Sequence, residues 1–108
     1  MRRALVVLIA GVTLAYGQSD GAAKGKQLKE ALFGLRTAID EYTYDHGKAP
    51  QSLAALVREH YLLAIPIDPM TGSRNTWRIM LEDSSNTVNR DAPGVFDVRS
   101  ASVRYAKW

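Results

Sequence analysis

The sequence predicts an α+β fold, in which a long N-terminal helix and a short second helix pack on a small antiparallel sheet. Between positions 28 and 42, apolar residues recur at alternating steps of four and three, which is the spacing of one helix face. Over 76–82 and 95–100, apolar and polar residues alternate as they do in half-buried strands. The helical segments come before the strand segments, an order typical of α+β domains.

Length and composition restrict the chain to one small domain. Its 108 residues leave room for one modest core, and the absence of cysteine excludes disulfides, thiolate nucleophiles and Cys-based zinc sites. Residues 18–25 are polar with two glycines and predict a flexible tether to a domain of residues 26–108. Arg2 and Arg3 supply part of the net charge of +3, and no block of Lys or Arg follows them. We therefore do not expect nucleic-acid binding.

The first 17 residues have the layout of a secretory leader. Arg2 and Arg3 precede an apolar run, and Ala15 and Gly17 place small residues where a signal peptidase reads them. The apolar run is shorter than the roughly 20 residues that cross a bilayer. We expect residues 1–17 to be either a signal peptide or a short membrane anchor. The body is then exported across the inner membrane, to be periplasmic, anchored facing the periplasm, or secreted.

The long helix is expected to begin at Ala22 or Lys26 and to end at His46. Gly47 is suited to the left-handed position that terminates a helix, and Pro50 prevents the helix from resuming. The expected buried stripe consists of Leu28, Leu32, Leu35, Ile39 and Tyr42.

A second, shorter helix and a tight turn are expected next. Ser52 is a suitable N-cap for a helix that runs to about Glu59. Its buried side chains are expected to be Leu53, Leu56 and Val57. Pro66 and Pro69 exclude helix and central strand, and residues 68–72 (Asp-Pro-Met-Thr-Gly) have the composition of a tight turn.

Strands are expected in the last third of the chain, at 76–82 and 95–100, with a third short strand at 103–108. The side chains expected to face inward are Trp77, Ile79 and Leu81 in the first strand and Phe96 and Val98 in the second. Together with Tyr42, the aromatic residues among them are interpreted as core rather than as a ligand slot. Trp108 is a candidate for contact with a partner.

Several motifs occur in a fixed order between residues 27 and 102. They are LRTAIDEYTYDHGKAP at 35–50, S-L-x-x-L-V at 52–57, I-P-x-D-P-x-T-G at 65–72 and GVFDVRS at 94–100. This series resembles the body of the major pseudopilins of type II secretion, the general secretion pathway protein G family. The resemblance implies a pilin-like fold whose long helix packs on a small sheet and leaves other faces for subunit contacts.

The N-terminus departs from that family's pattern. Pseudopilins carry a basic leader that ends in Gly, then Phe-Thr-Leu-x-Glu and a further apolar stretch. Here Gly11 is followed by Val-Thr-Leu-Ala, the fifth position is Tyr16 instead of Glu, and the residues after it are polar. The prepilin motif is therefore lacking, which puts prepilin processing and ordinary filament packing in doubt.

The resemblance also implies a structural calcium ion in a C-terminal loop, which we do not carry over. Residues 101–108 contain no acid and two positive charges, whereas calcium needs six or more oxygen ligands. The acids considered nearby are Glu82, Asp83, Asp91 and Asp97. Asp97 is expected to cap or to pair across its strand.

Catalytic and metal sites are not expected. His46 and His60 lack a third ligand at useful spacing, and each lies near the end of a predicted helix. Asp40, Glu41 and Asp45 are interpreted as surface charges rather than paired catalytic acids. We assign no catalytic, cofactor-binding or metal-binding residue, and no cofactor.

The expected function is that of an exported structural or assembly subunit resembling a type II secretion pseudopilin, not of an enzyme. Its expected partners are other pseudopilin or secretion-system subunits, with self-assembly and inner-membrane contact through residues 4–16 left open. The alternative is a soluble periplasmic or secreted binding module with the same body and no filament role.

Overall fold

The computed structural model describes residues 20–83 and 92–108, and it has the α+β arrangement that the sequence predicts. The elements are helix α1 (Asp20–His46), helix α2 (Leu53–Arg58), strands β1 (Arg78–Leu81) and β2 (Val95–Arg99), and a 3-10 turn (Val103–Tyr105). The leader expected at residues 1–17 lies outside the described residues. Among those described, no helix is both long and apolar enough to span a membrane.

Helix α1 begins at Asp20, so most of the segment expected to be a flexible tether is helical. Ala22, Ala23 and Lys24 are strong helix formers, and they offset the cost of the neighbouring glycines. The helix ends at His46, as predicted. Gly47 has φ +71° and donates its N–H to the carbonyl oxygen of Thr43 at 2.9 Å.

The predicted stripe of α1 forms one side of the core. Its side chains are buried against those of α2, β2 and the segment before β1. The core residues are Leu28, Leu32, Leu35, Ala38, Ile39 and Tyr42 from α1, Leu53, Ala55 and Leu56 from α2, and Trp77, Val95 and Val98. In α2, Ser52 is the predicted N-cap and accepts a hydrogen bond from the N–H of Ala55 at 3.2 Å. Ala55 is buried and Val57 half-buried, where the sequence predicted Val57 in the core.

Strands β1 and β2 form a two-stranded antiparallel sheet that contains a β-bulge. Met80 pairs with Asp97 and Leu81 with Val95, so Phe96 is the extra residue in β2. In a regular strand Val95 and Val98 would face opposite sides, but with the bulge both are fully buried. The prediction that Phe96 faces inward is wrong, since its side chain is 54% exposed.

The burial predicted for β1 is correct for Trp77 but wrong for Ile79 and Leu81, which are both exposed. Ile79 pairs directly with Val98, and directly paired residues point to the same face of a sheet. Helix α1 packs against β2. Ile79 and Leu81 therefore face the expected side of the sheet but lie beyond the edge of the helix.

Residues 68–72 form the predicted tight turn, centred on a buried carboxylate. Asp68 is fully buried, and its Oδ1 accepts the N–H of Met70 at 2.8 Å. Its backbone N–H donates to the carbonyl oxygen of Ser73 at 2.9 Å, and Gly72 has φ +75°. Ser100 Oγ donates to Asp68 Oδ2 at 2.7 Å, which joins this turn to the end of β2.

The segment after β2 is a 3-10 turn, not the third strand that the alternation at 103–108 predicts. The N–H of Tyr105 donates to the carbonyl oxygen of Ser102 at 3.0 Å, and that of Trp108 to Tyr105 at 3.1 Å. These short-range bonds replace cross-strand pairing and turn the chain back toward α1, where Trp108 packs.

Candidate interaction surface

Helix α1 carries a row of exposed residues on a side that does not face the core. Lys29 and Asp40 are 11 residues apart, as are Phe33 and Tyr44, and 11 residues make about three helical turns. Each pair therefore lies along one line on the helix surface. Phe33 is 73% exposed and Tyr44 is 89% exposed. Neither aromatic ring contributes to the core.

Trp108 packs on the N-terminal half of this helix. Its ring meets Tyr105 edge to face at a centroid distance of 4.6 Å, and Lys29 Nζ lies 5.1 Å from its ring centroid. A Cβ atom on Gly25 would lie 3.6 Å from the Trp108 ring. The ring still exposes 39% of its surface. Trp108, which the sequence singled out as a candidate for partner contact, thus packs on α1 of its own chain.

An ion pair fixes the middle of α1 to the sheet. Arg36 Nε donates to Asp97 Oδ1 at 2.7 Å, and a second guanidinium nitrogen of Arg36 donates to the carbonyl oxygen of Val98 at 3.0 Å. Arg99 Nε is buried and lies 3.8 Å from Asp97 Oδ2, beyond hydrogen-bond distance. The Asp97 side chain, which the sequence predicts to cap or to pair across its strand, therefore bonds to α1 and accepts the N–H of the next residue, Val98, at 2.8 Å.

Two grooves lie on either side of this ion pair. The first has a volume of about 460 Å³ and is lined by Lys29, Leu32, Phe33, Arg36 and Trp108. The second has a volume of about 410 Å³ and is lined by Ile39, Asp40, Thr43, Tyr44, Ala49, Glu82 and Phe96. Both combine an aromatic ring with charged groups, but the first is lined by cations and the second by carboxylates. A third groove of about 350 Å³ continues from the first, past Trp108, along Ala22, Gly25, Lys26 and Tyr105.

The charges of α1 change sign along its length, as those of the first two grooves do: positive in the N-terminal half and negative near the C-terminal end. Residues 24–34 contain three lysines and one glutamate, whereas residues 40–46 contain three carboxylates and no lysine or arginine. Lys26, Lys29 and Asp40 are exposed on the side of α1 that carries Phe33 and Tyr44, whereas Glu41 lies about 100° further round the helix. The α1 face therefore has a basic half that carries Trp108 and Phe33, and an acidic half that carries Tyr44.

The C-terminal end of α1 is held by a cluster of rings. His46 stacks on Tyr42 at a centroid distance of 4.0 Å, and Tyr61 meets Tyr42 edge to face at 5.5 Å. Tyr61 Oη donates to Asp45 Oδ2 at 2.6 Å. This hydrogen bond, with burial and the nearby charges of Asp45 and Glu59, raises the pKa of Tyr61 to about 12. Tyr61 is therefore protonated at neutral pH, and its hydrogen bond joins the segment after α2 to the end of α1.

The remaining residues considered from the sequence are dispersed. His60 follows α2 in the left-handed conformation, at φ +71°, and is exposed. Glu82 Oε1 accepts the N–H of Gly94 at 3.0 Å, and Asp91 lies outside the described residues. Within 20–83 and 92–108, no group of three or more His, Cys, Asp or Glu residues is placed to hold a metal ion.

The sequence identified the core stripe of α1 but not its second face. Phe33 and Tyr44 were not singled out, although their 11-residue spacing is itself a helical signal. Their position relative to Trp108 and Phe96 depends on the bulge and the 3-10 turn, which the sequence pattern did not predict. Comparison of the chain with protein-family models, with curated proteins and with solved structures gave no match.

Proposed function

We propose that the protein is an exported structural or assembly subunit that resembles a type II secretion pseudopilin and acts through protein–protein contacts. The observation that supports this most is the exposed α1 face. Aromatic residues are enriched in protein interfaces, where large rings are buried with little loss of side-chain entropy. Phe33, Tyr44, Phe96 and Trp108 all expose more than a third of their surface on or beside α1.

The way the body is built supports the same proposal. One side of α1 is buried in the core, so another molecule can contact the exposed side without disturbing the fold. The Arg36–Asp97 ion pair and the contact between Lys29 and Trp108 hold the groove residues in place before any partner arrives. Preorganised side chains lose less entropy on binding, which favours a stable contact.

A soluble binding module remains the second candidate. The groove of about 460 Å³ is of a size that small ligands occupy, and Lys29 and Arg36 at its edge would favour an anion. A ligand-binding role is less well supported, because the groove is open along α1 and continues into the surface beside Trp108.

In-cell photocrosslinking tests the first proposal. A photoreactive phenylalanine analogue would replace Phe33 or Tyr44, with Leu63, a fully exposed apolar residue away from α1, as the matched control position. We expect crosslinks to secretion-system subunits or to the protein itself from positions 33 and 44, and not from 63. In parallel, deletion of the gene should impair secretion of exported enzymes. A soluble, monomeric protein that gives no crosslinks and whose loss leaves secretion unchanged would overturn the proposal.

A further inference from the structure

We infer that the occupant of the α1 face is a second copy of this chain, with the two α1 helices antiparallel about a two-fold axis. This inference rests on the proposed function, because it names one partner for the surface described there. It goes further in stating the symmetry, the residues that face each other and the charge pairs that hold the two copies together.

Charge complementarity is the first argument for a second copy. The basic half of the α1 face carries Lys26 and Lys29, and its acidic half carries Asp40. Two parallel helices in register would place like charges side by side, which disfavours that arrangement. An antiparallel neighbour instead brings each basic half against an acidic half, at both ends of one interface.

The register follows from the 11-residue spacing. If Lys29 of each copy faces Asp40 of the other, the two-fold axis runs between the two helices, level with the midpoint of residues 34 and 35. Position 44 then faces position 25, so Tyr44 of the second copy meets the groove formed by Gly25, Tyr105 and Trp108. The same register brings Phe33 within about one turn of its counterpart across the axis. One placement thus pairs the charges and covers the exposed rings together.

Closure is the argument for a two-fold axis over an open array. In a two-fold dimer the basic and acidic halves of both copies are used in a single interface, and nothing is left to recruit a third copy. A parallel arrangement shifted by 11 residues would also bring Lys29 beside Asp40, but would use half of the face for each neighbour. The dimer therefore buries more of the face in each contact.

A charge-swap experiment tests the inference with the protein purified in its mature form from the exported fraction. The mass of the wild type and of the Lys29→Glu, Asp40→Lys and doubly substituted variants would be measured by light scattering and by sedimentation over a concentration series. We expect the wild type to be a dimer. Each single substitution should weaken the dimer about 10- to 100-fold, because the two-fold axis repeats the like-charge contact twice. The double variant should dimerise again.

A mixture of the two single variants gives the clearest test of the two-fold arrangement. In an equimolar mixture of Lys29→Glu and Asp40→Lys, the mixed dimer has opposite charges at both ends, so two variants that dimerise weakly alone should dimerise strongly together. Arg58→Glu and Glu59→Lys, exposed charges at the end of α2, are the matched controls and should leave the dimer unchanged.

Three results would overturn the inference: a wild type that stays monomeric over the whole concentration series, no rescue on mixing, or an open series of larger assemblies. An open series would remove the two-fold axis and leave the proposed function intact. A dimer rescued by mixing in a protein whose deletion leaves secretion unchanged would remove the role in secretion and keep the dimer.

Discussion

Ser100 donates a hydrogen bond from Oγ to Asp68 Oδ2 at 2.7 Å, and both side chains are fully buried. The residues are 32 positions apart, and the bond joins the turn at 68–72 to the end of β2. The other carboxylate oxygen accepts the N–H of Met70, and Ser100 Oγ accepts the N–H of Ser102 at 3.1 Å. This network ties two loops to the core, because the fully buried Asp68 and Ser100 side chains satisfy each other and also bond to the half-buried Met70 and Ser102.

The first prediction concerns this network. Asp68→Ala should lower the free energy of unfolding by roughly 2–4 kcal/mol, because it leaves the Ser100 hydroxyl and the Met70 N–H without their acceptor. Ser100→Ala should cost less, about 1–2 kcal/mol, because Asp68 keeps its bond to Met70. Urea unfolding followed by circular dichroism measures both. Equal costs for the two substitutions would contradict the central position of the carboxylate.

Two glycines give opposite predictions for the same substitution. A Cβ on Gly94 would lie 2.7 Å from Ala49 Cβ and 2.8 Å from its carbonyl oxygen, so Gly94→Ala forces the strand away from the loop before α2. We expect a loss of about 2–3 kcal/mol in unfolding free energy. Gly34 lies within α1 with nothing within 4 Å of its Cβ position, so Gly34→Ala should gain about 1 kcal/mol. Thermal unfolding of the two variants beside the wild type checks both signs.

The bulge in β2 supplies the third prediction. Val98→Ala should lower the free energy of unfolding by about 2 kcal/mol, because it removes two methyl groups from a fully buried side chain and leaves a cavity. Phe96→Ser should lower it by less than about 0.5 kcal/mol, because Phe96 is exposed. Denaturant unfolding of both variants measures the difference. A larger loss from Phe96→Ser than from Val98→Ala would place Phe96 in the core, as regular alternation requires, and would argue against the bulge.

The β-bulge separates the features that the sequence predicted from those that it did not. The stripe of α1, the Ser52 cap, the Gly47 terminus and the 68–72 turn are local patterns, and the sequence predicted each of them. The orientation of Phe96 depends on one extra residue in the pairing with β1, which a period of two cannot reveal. The exposure of Ile79 depends on which strand α1 covers, and the candidate surface depends on both.

The last prediction concerns the tyrosine that holds the end of α1. Tyr61 has a pKa raised to about 12, first because its hydroxyl donates to Asp45 and then because of burial and nearby negative charge. The folded state therefore favours the protonated phenol more than the unfolded state does, whose tyrosines titrate near 10. The stabilisation from this group is complete below pH 10 and is lost as the pH rises toward 12. Near neutral pH this contribution is present and constant, so Tyr61 should cause no change of stability with pH there.

Asp45→Ala should bring the pKa of Tyr61 down toward the ordinary tyrosine value, because the main cause of the shift is removed. Spectrophotometric titration of phenolate absorbance would show this as one tyrosine that moves to lower pH. Asp40→Asn is the matched control, since it removes an exposed carboxylate of the same helix that makes no contribution to Tyr61. A titration curve that is the same in the wild type and in Asp45→Ala would show that the hydrogen bond does not form in solution. Tyr61 would then be joined to the end of α1 by its edge-to-face contacts with Tyr42 and His46.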